Sequence, residues 1–208
     1  MLAAGLRPAV LVEFRLASPA AGRPLLRSGP HPCPGSRGVI PNLERQSMAE
    51  PSFDLPGAHR WFAVELNNRT WDALESGLVT PETGEGYIHA AHASCYHWMQ
   101  AGTVANQGRG ECLVANVYAA AGMGEAALGH ARRYLELAQA DDAQTADWDL
   151  AFAYDALARA YAAIGEKKAA GEAREKARAA GDAIADEDDR IQFRRWFEGG
   201  DWHGLSGD

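Results

Sequence analysis

The densest group of side chains able to do chemistry is the run His89-Ala-Ala-His92-Ala-Ser-Cys95-Tyr96-His97-Trp98. Imidazole serves as a metal ligand, a general acid or a general base near neutral pH. If the run is helical, at about 100° per residue His89 and His92 lie about 60° apart on one face. Tyr96 continues the stripe from His92. His97 stands about 80° from His89 and about 140° from His92 on the same arithmetic. Three histidines of one helix therefore do not readily share one ion. A pair at i and i+3 can hold a divalent metal when another helix adds carboxylates, and Glu65 and Glu111 are the nearest candidates. The candidate metal set is thus His89, His92 and His97 with Glu65. Acid–base catalysis is the other chemistry these imidazoles permit, and packing between helices with satisfied nitrogens is the plain alternative.

Other reaction signatures are absent from the sequence. There is no GxxxxGK[ST] phosphate loop, no GxGxxG after a strand and no GxSxG elbow. Ser94-Cys95 lacks flanking glycines, and Gly108-Arg109-Gly110 is too short for a phosphate cradle. Cys33, Cys95 and Cys112 form an odd, sparse set without CxxC spacing, which argues against a disulfide framework and for a reduced, cytoplasmic setting. Cys95 and Cys112 fall in apolar helical stretches and read as buried small hydrophobes.

The elements that must carry these residues read as helical. Trp61, Phe62, Val64, Trp71 and Leu74 recur at spacings of three and four, with Gly77 as the stop. Thr80-Pro81-Glu82-Thr83 predicts the next helix start, with Thr80 as N-cap and Pro81 at the first helical position. That helix runs through His89 and Met99 to Gly102. Val104 to Gly108 reads as a polar turn.

Glu111 opens a repeat. The stretch Ala115-Asn-Val-Tyr118-Ala119-Ala120-Ala-Gly122-Met-Gly-Glu-Ala126-Ala127 recurs as Ala158-Arg-Ala-Tyr161-Ala162-Ala163-Ile-Gly165-Glu-Lys-Lys-Ala169-Ala170, with seven identities in thirteen positions at an offset of 43. The small residues Ala115 and Ala158 permit close helix approach, and Tyr118 and Tyr161 fill the gap between paired helices. Gly122 and Gly165 accept the left-handed conformation that ends a helix. Ala127 and Ala170 allow contact within each hairpin. A small residue, an aromatic three later, Gly four after that and Ala five further on make both stretches resemble the tetratricopeptide repeat. Tyr154, Leu157 and Ala177 extend the match in the second copy. In the first, Glu111 and Tyr134 depart from it. The family period is about 34 residues, so about nine extra residues fall between the copies, in the linker 139–147 and a longer first helix.

The resemblance implies an all-α fold of antiparallel hairpins stacked as a short array, with the hairpin 61–101 as a third member by position. It also implies that first helices line a concave binding surface, where Asn116, Asp155 and Arg159 would face a partner. Asn68 and Trp71, with Arg109, are further candidates for that groove. The acidic run 186–189 is placed to cap a short final helix, Arg190 to Glu198, with Ile191, Phe193, Trp196 and Phe197 as its apolar face. That helix is expected to cover the open end of the stack.

Composition bounds the rest. The chain has 208 residues and net charge −8, against a general affinity for nucleic acid. No run approaches the roughly 20 uncharged apolar residues that span a bilayer, so no membrane partner is expected. Residues 1–47 hold six Arg against two Glu, a balance of +4 that leaves −12 for the remainder, and seven of the ten prolines. The composition changes at Met48, an alternative translation start. Residues 1–52 are accordingly expected to be a disordered extension and 53–208 the helical domain. The leading expectation is an interaction module binding a peptide or protein segment in a helical groove, with no resident cofactor. The alternative is a metal- or small-molecule-dependent enzyme centred on His89 and His92. Self-association through the hairpins is a further expectation.

Overall fold

A computed structural model describes residues 53–140 and 144–204; the expectation for residues 1–52 lies outside this range. Seven helices and no strand make up the described residues: α1 (Leu55–Glu75), α2 (Gly84–Ala101), α3 (Val104–Ala120), α4 (Gly124–Ala138), α5 (Asp147–Ala163), α6 (Lys167–Asp182) and α7 (Glu187–Glu198). None is long and apolar enough to cross a membrane.

Each helix packs against the next in the order α1 to α6, so the chain forms three stacked hairpins, α1–α2, α3–α4 and α5–α6. The first helices of successive hairpins also touch one another, α1 with α3 and α3 with α5. They form an inner layer, and α3 and α5 are the most thoroughly buried elements. Small side chains make this approach possible. Ala115, Ala158, Ala127 and Ala170 are all essentially inaccessible to water. A larger side chain at any of them would force helices apart that pack at crystal-like density.

All three inner helices end in the same way. Gly77, Gly122 and Gly165 have φ of +65°, +74° and +83°. In each case the glycine N–H bonds back to the third carbonyl before it, and the following N–H reaches the fifth: Leu78 to Ala73, Met123 to Tyr118 and Glu166 to Tyr161 at 2.8–3.0 Å. This is the Schellman arrangement, which satisfies otherwise orphaned carbonyls. The first hairpin therefore shares its stop with the other two, although its remaining sequence gives no repeat.

The starts of α2 and α3 differ from the sequence expectation. α2 begins at Gly84 rather than after Thr80. Thr83 Oγ1 donates to Leu78 O at 2.5 Å and accepts from Thr80 N at 3.1 Å. These bonds hold 80–83 as a turn ahead of the helix. The segment 104–108 is the first turn of α3 rather than a polar turn. Thr103 accepts from Asn106 N while Asn106 Oδ1 accepts from Thr103 N, a reciprocal capping box.

A buried polar pin joins α3, α4 and α5. The Asp149 carboxylate, 1 % exposed, accepts from Arg109 Nε at 3.1 Å, Arg109 Nη2 at 2.9 Å, Tyr134 Oη at 2.8 Å and Ala146 N at 2.8 Å. Arg109 also lies over the Trp148 ring at 4.2 Å.

The final helix begins at Glu187, three residues earlier than expected, because Asp186 accepts from the backbone of Asp188 and Asp189. It packs on α5 and α6. Phe193 and Phe197 are buried, and Trp196 is half-buried. Ile191 instead faces solvent, on the side of the helix turned away from the stack. Trp196 reaches across the inner layer to Trp71 of α1, ring edge to face at 4.9 Å.

Candidate functional site

The inner layer and α7 enclose a cavity of about 470 Å³. Trp71, Leu74 and Glu75 at the end of α1 form one wall, and Asn116, Ala119 and Ala120 of α3 form the floor. Phe152 and Arg159 of α5 face them, and Gln192, Arg195, Trp196 and the turn 199–203 close the far side. The floor is open because its α3 residues beyond Asn116 are alanines.

Arg159 is nearly buried and tightly held. Its Nε donates to Asp155 Oδ2 at 2.9 Å, and its Nη2 donates to the carbonyls of Trp196 and Gly199 at 3.0 and 3.1 Å. The guanidinium lies between the Trp196 and Trp202 rings, at 4.9 and 4.2 Å. Asp155 Oδ2 accepts a second bond from Trp196 Nε1 at 2.8 Å. Asp155 is fully buried and supports Arg159 from behind rather than facing the cavity.

Asn116 is oriented by its own helix. Its Nδ2 donates to Cys112 O at 2.9 Å, which leaves Oδ1 as a buried acceptor without a partner in the protein. Buried acceptors of this kind are uncommon, and each calls for a donor. Loss of water around the Glu75 carboxyl, also in the wall, raises its pKa, with Arg195 opposing the effect.

Of the groove candidates, the structure thus brings Trp71, Asn116 and Arg159 together at one cavity, with Asp155 behind. It does not bring Arg109 or Asn68 there. Arg109 is committed to Asp149, and Asn68 accepts from Asn67 Nδ2 at 3.3 Å. Sequence reasoning missed Glu75, Gln192 and Arg195. Trp196 was legible as an apolar face of the last helix, but its reach to Trp71 was not.

The histidines of α2 separate into two groups. His97 meets His59 of α1, Nδ1 to Nδ1 at 2.7 Å, and stacks on Phe62 with ring centroids 5.3 Å apart. His92 faces the opposite neighbour: its Nε2 lies 2.9 Å from Tyr118 Oη of α3, and its ring is 5.2 Å from that of His130 in α4. His130 Nδ1 is 2.7 Å from Glu111 Oε2. Burial first, and the charge of His130 second, lower the His92 pKa. His89 is exposed and acts on His92 through its charge alone. Glu65, on α1, makes no hydrogen bond or ion pair to either group. Among the described residues, no three His, Cys, Asp or Glu side chains are grouped to hold a metal ion. Glu111 does reach the neighbourhood of His92, but through His130, which sequence reasoning did not single out.

Cys95 lies 3.9 Å from Glu111 Oε1, and burial pushes its thiol up to about 12. Cys112 is raised as well, again mainly by burial. Neither thiol is a ready nucleophile.

No protein-family model, curated protein or solved structure matches this chain.

Proposed function

We propose that this protein is a tetratricopeptide-like interaction module whose inner cavity receives a short segment of a peptide or protein partner. The observation that carries this reading is the cavity between α1, α3, α5 and α7, with Asn116 Oδ1 buried and unpartnered at its floor. A cavity of about 470 Å³ falls in the range of pockets that hold small ligands, so it takes an anchoring side chain with its adjoining backbone rather than a long strand. Trp71, Phe152 and Trp196 supply apolar wall for that side chain. Asn116 Oδ1 accepts from an N–H of the segment. Arg159 Nη1 has no hydrogen-bond partner among the described residues and offers a donor to a carbonyl or carboxylate. One acceptor and one donor are the complement of a peptide amide.

The test is a peptide-array screen followed by titration of the best binder against tryptophan fluorescence. Ala120→Trp should fill the cavity and Asn116→Ala should remove the acceptor, each weakening binding at least about tenfold, the equivalent of roughly 1.4 kcal/mol. Asn68→Ala, outside the cavity, should leave affinity unchanged. Full binding by the Ala120→Trp protein refutes this location.

A further inference from the structure

A second cluster of polar side chains stands on the far side of α3 from the cavity and shares no residue with it. We propose that His92, His130 and Tyr118 bind one divalent transition-metal ion, with Glu111 orienting His130.

The geometry supports it in three ways. First, two imidazoles bound through nitrogen to a common tetrahedral ion, at about 2.0–2.1 Å each, have ring centroids about 5 Å apart. The His92 and His130 rings are 5.2 Å apart. Second, two donors at those bond lengths, at angles between octahedral and tetrahedral, lie about 2.9–3.4 Å from each other. His92 Nε2 and Tyr118 Oη are 2.9 Å apart. Third, Glu111 Oε2 accepts the His130 Nδ1–H at 2.7 Å. That bond fixes the tautomer and leaves the Nε2 lone pair for an ion, the carboxylate–histidine arrangement that supports metal ligands.

In the metal-free protein His92 Nε2 and Tyr118 Oη share one hydrogen bond at 2.9 Å. On binding, Tyr118 releases its proton to solvent and both atoms turn to the ion. Glu111 contributes the countercharge, with its side chain 10 % exposed. His130, at 30 % side-chain exposure, leaves the ion a path from solvent. Imidazole and phenolate together suit an ion of the zinc or copper(II) class rather than calcium or magnesium.

The His59–His97 pair provides an internal control. Its nitrogens, 2.7 Å apart, are closer than the range of about 2.9–3.4 Å for two donors to one ion, and among the described residues no carboxylate is hydrogen-bonded to either ring.

The experiment titrates chelator-treated, tag-free full-length protein with cobalt(II), read by its visible absorption, and then displaces cobalt with zinc. One equivalent per chain is expected. His92→Ala and His130→Ala should each weaken binding at least about 100-fold. Tyr118→Phe and Glu111→Gln should each weaken it about 10- to 100-fold. His59→Ala and His97→Ala should bind as the parent does. In the unaltered protein, diamagnetic zinc must perturb the His92 and His130 imidazole resonances and leave those of His59 and His97 in place, a readout that needs no variant to fold. Absence of stoichiometric binding, unchanged affinity in His92→Ala and His130→Ala, or perturbation of His59 and His97 instead would each overturn the proposal.

Discussion

Replacing Asp149 by alanine tests whether Arg109 belongs to the framework rather than to a binding surface. The carboxylate is 1 % exposed and accepts four hydrogen bonds, two of them from a guanidinium whose side chain is 13 % exposed. Its removal takes the Asp149 charge away from the largely buried Arg109 guanidinium and the acceptor away from the Tyr134 hydroxyl. Breaking one side of a buried ion pair costs about 3–5 kcal/mol, and a stranded hydroxyl about 1–3 kcal/mol, with overlap between the two. A net loss of about 3–5 kcal/mol is expected. For a domain of this size that lowers Tm by roughly 6–20 °C, at about 2–4 °C per kcal/mol. Asp149→Leu combined with Arg109→Met replaces the pair by apolar groups of similar bulk, and should recover about half of the loss or more. Urea unfolding of the parent, Asp149→Leu, Arg109→Met and the double variant gives the cycle directly, with Asp149→Ala measured beside them, and peptide affinity should be unchanged in those that fold. A single-variant loss under about 1 kcal/mol, with no recovery in the double variant, would refute the reasoning.

Other outcomes follow from the same structure. A Cβ at Gly181 would meet the Phe193 ring, so Gly181→Ala should dislodge α7 and raise Trp196 exposure to acrylamide quenching. At Gly122 or Gly165, alanine in a left-handed conformation should cost about 1 kcal/mol each, measured by denaturant midpoint. Cys95 and Cys112 should resist thiol reagents in the native protein at pH 8 and react fully in denaturant, mapped by mass spectrometry. His92 and His97 have lowered pKa values, so the unfolded chain takes up protons first as pH falls. Their contribution is present above the unfolded value of about 6.5 and is lost below it; His92→Gln should flatten the fall in stability between about pH 7 and 5.

What was legible in the sequence was what local chemistry dictates. Gly77, Gly122 and Gly165 announced helix stops because only glycine occupies that conformation cheaply, and all three have positive φ. The small residues at 115, 127, 158 and 170 announced close packing and are buried. The starts of α2 and α3 were misplaced because Thr80, Thr83, Thr103 and Asn106 choose among competing local hydrogen bonds, and residue type alone does not say which bond forms. Helical-wheel arithmetic correctly kept His97 apart from His92. It had no means of supplying His130, which arrives from another helix 38 residues along. The far wall of the cavity was hidden for the same reason, since Trp196 meets Trp71 only after the whole stack has formed.

That last contact also changes how the molecule should come apart. In a linear row of hairpins, each unit is held only by its neighbours, so the ends open independently and stability adds up along the row. Here α1 and α7, the first and last helices among the described residues, are joined through Trp71 and Trp196. Releasing α7 uncovers the end of α1, and loosening α1 removes support from α7. Amide exchange at the two ends should therefore respond together to a change at either one, such as Gly181→Ala. The row behaves as a clasped loop, with its two ends sharing one opening equilibrium.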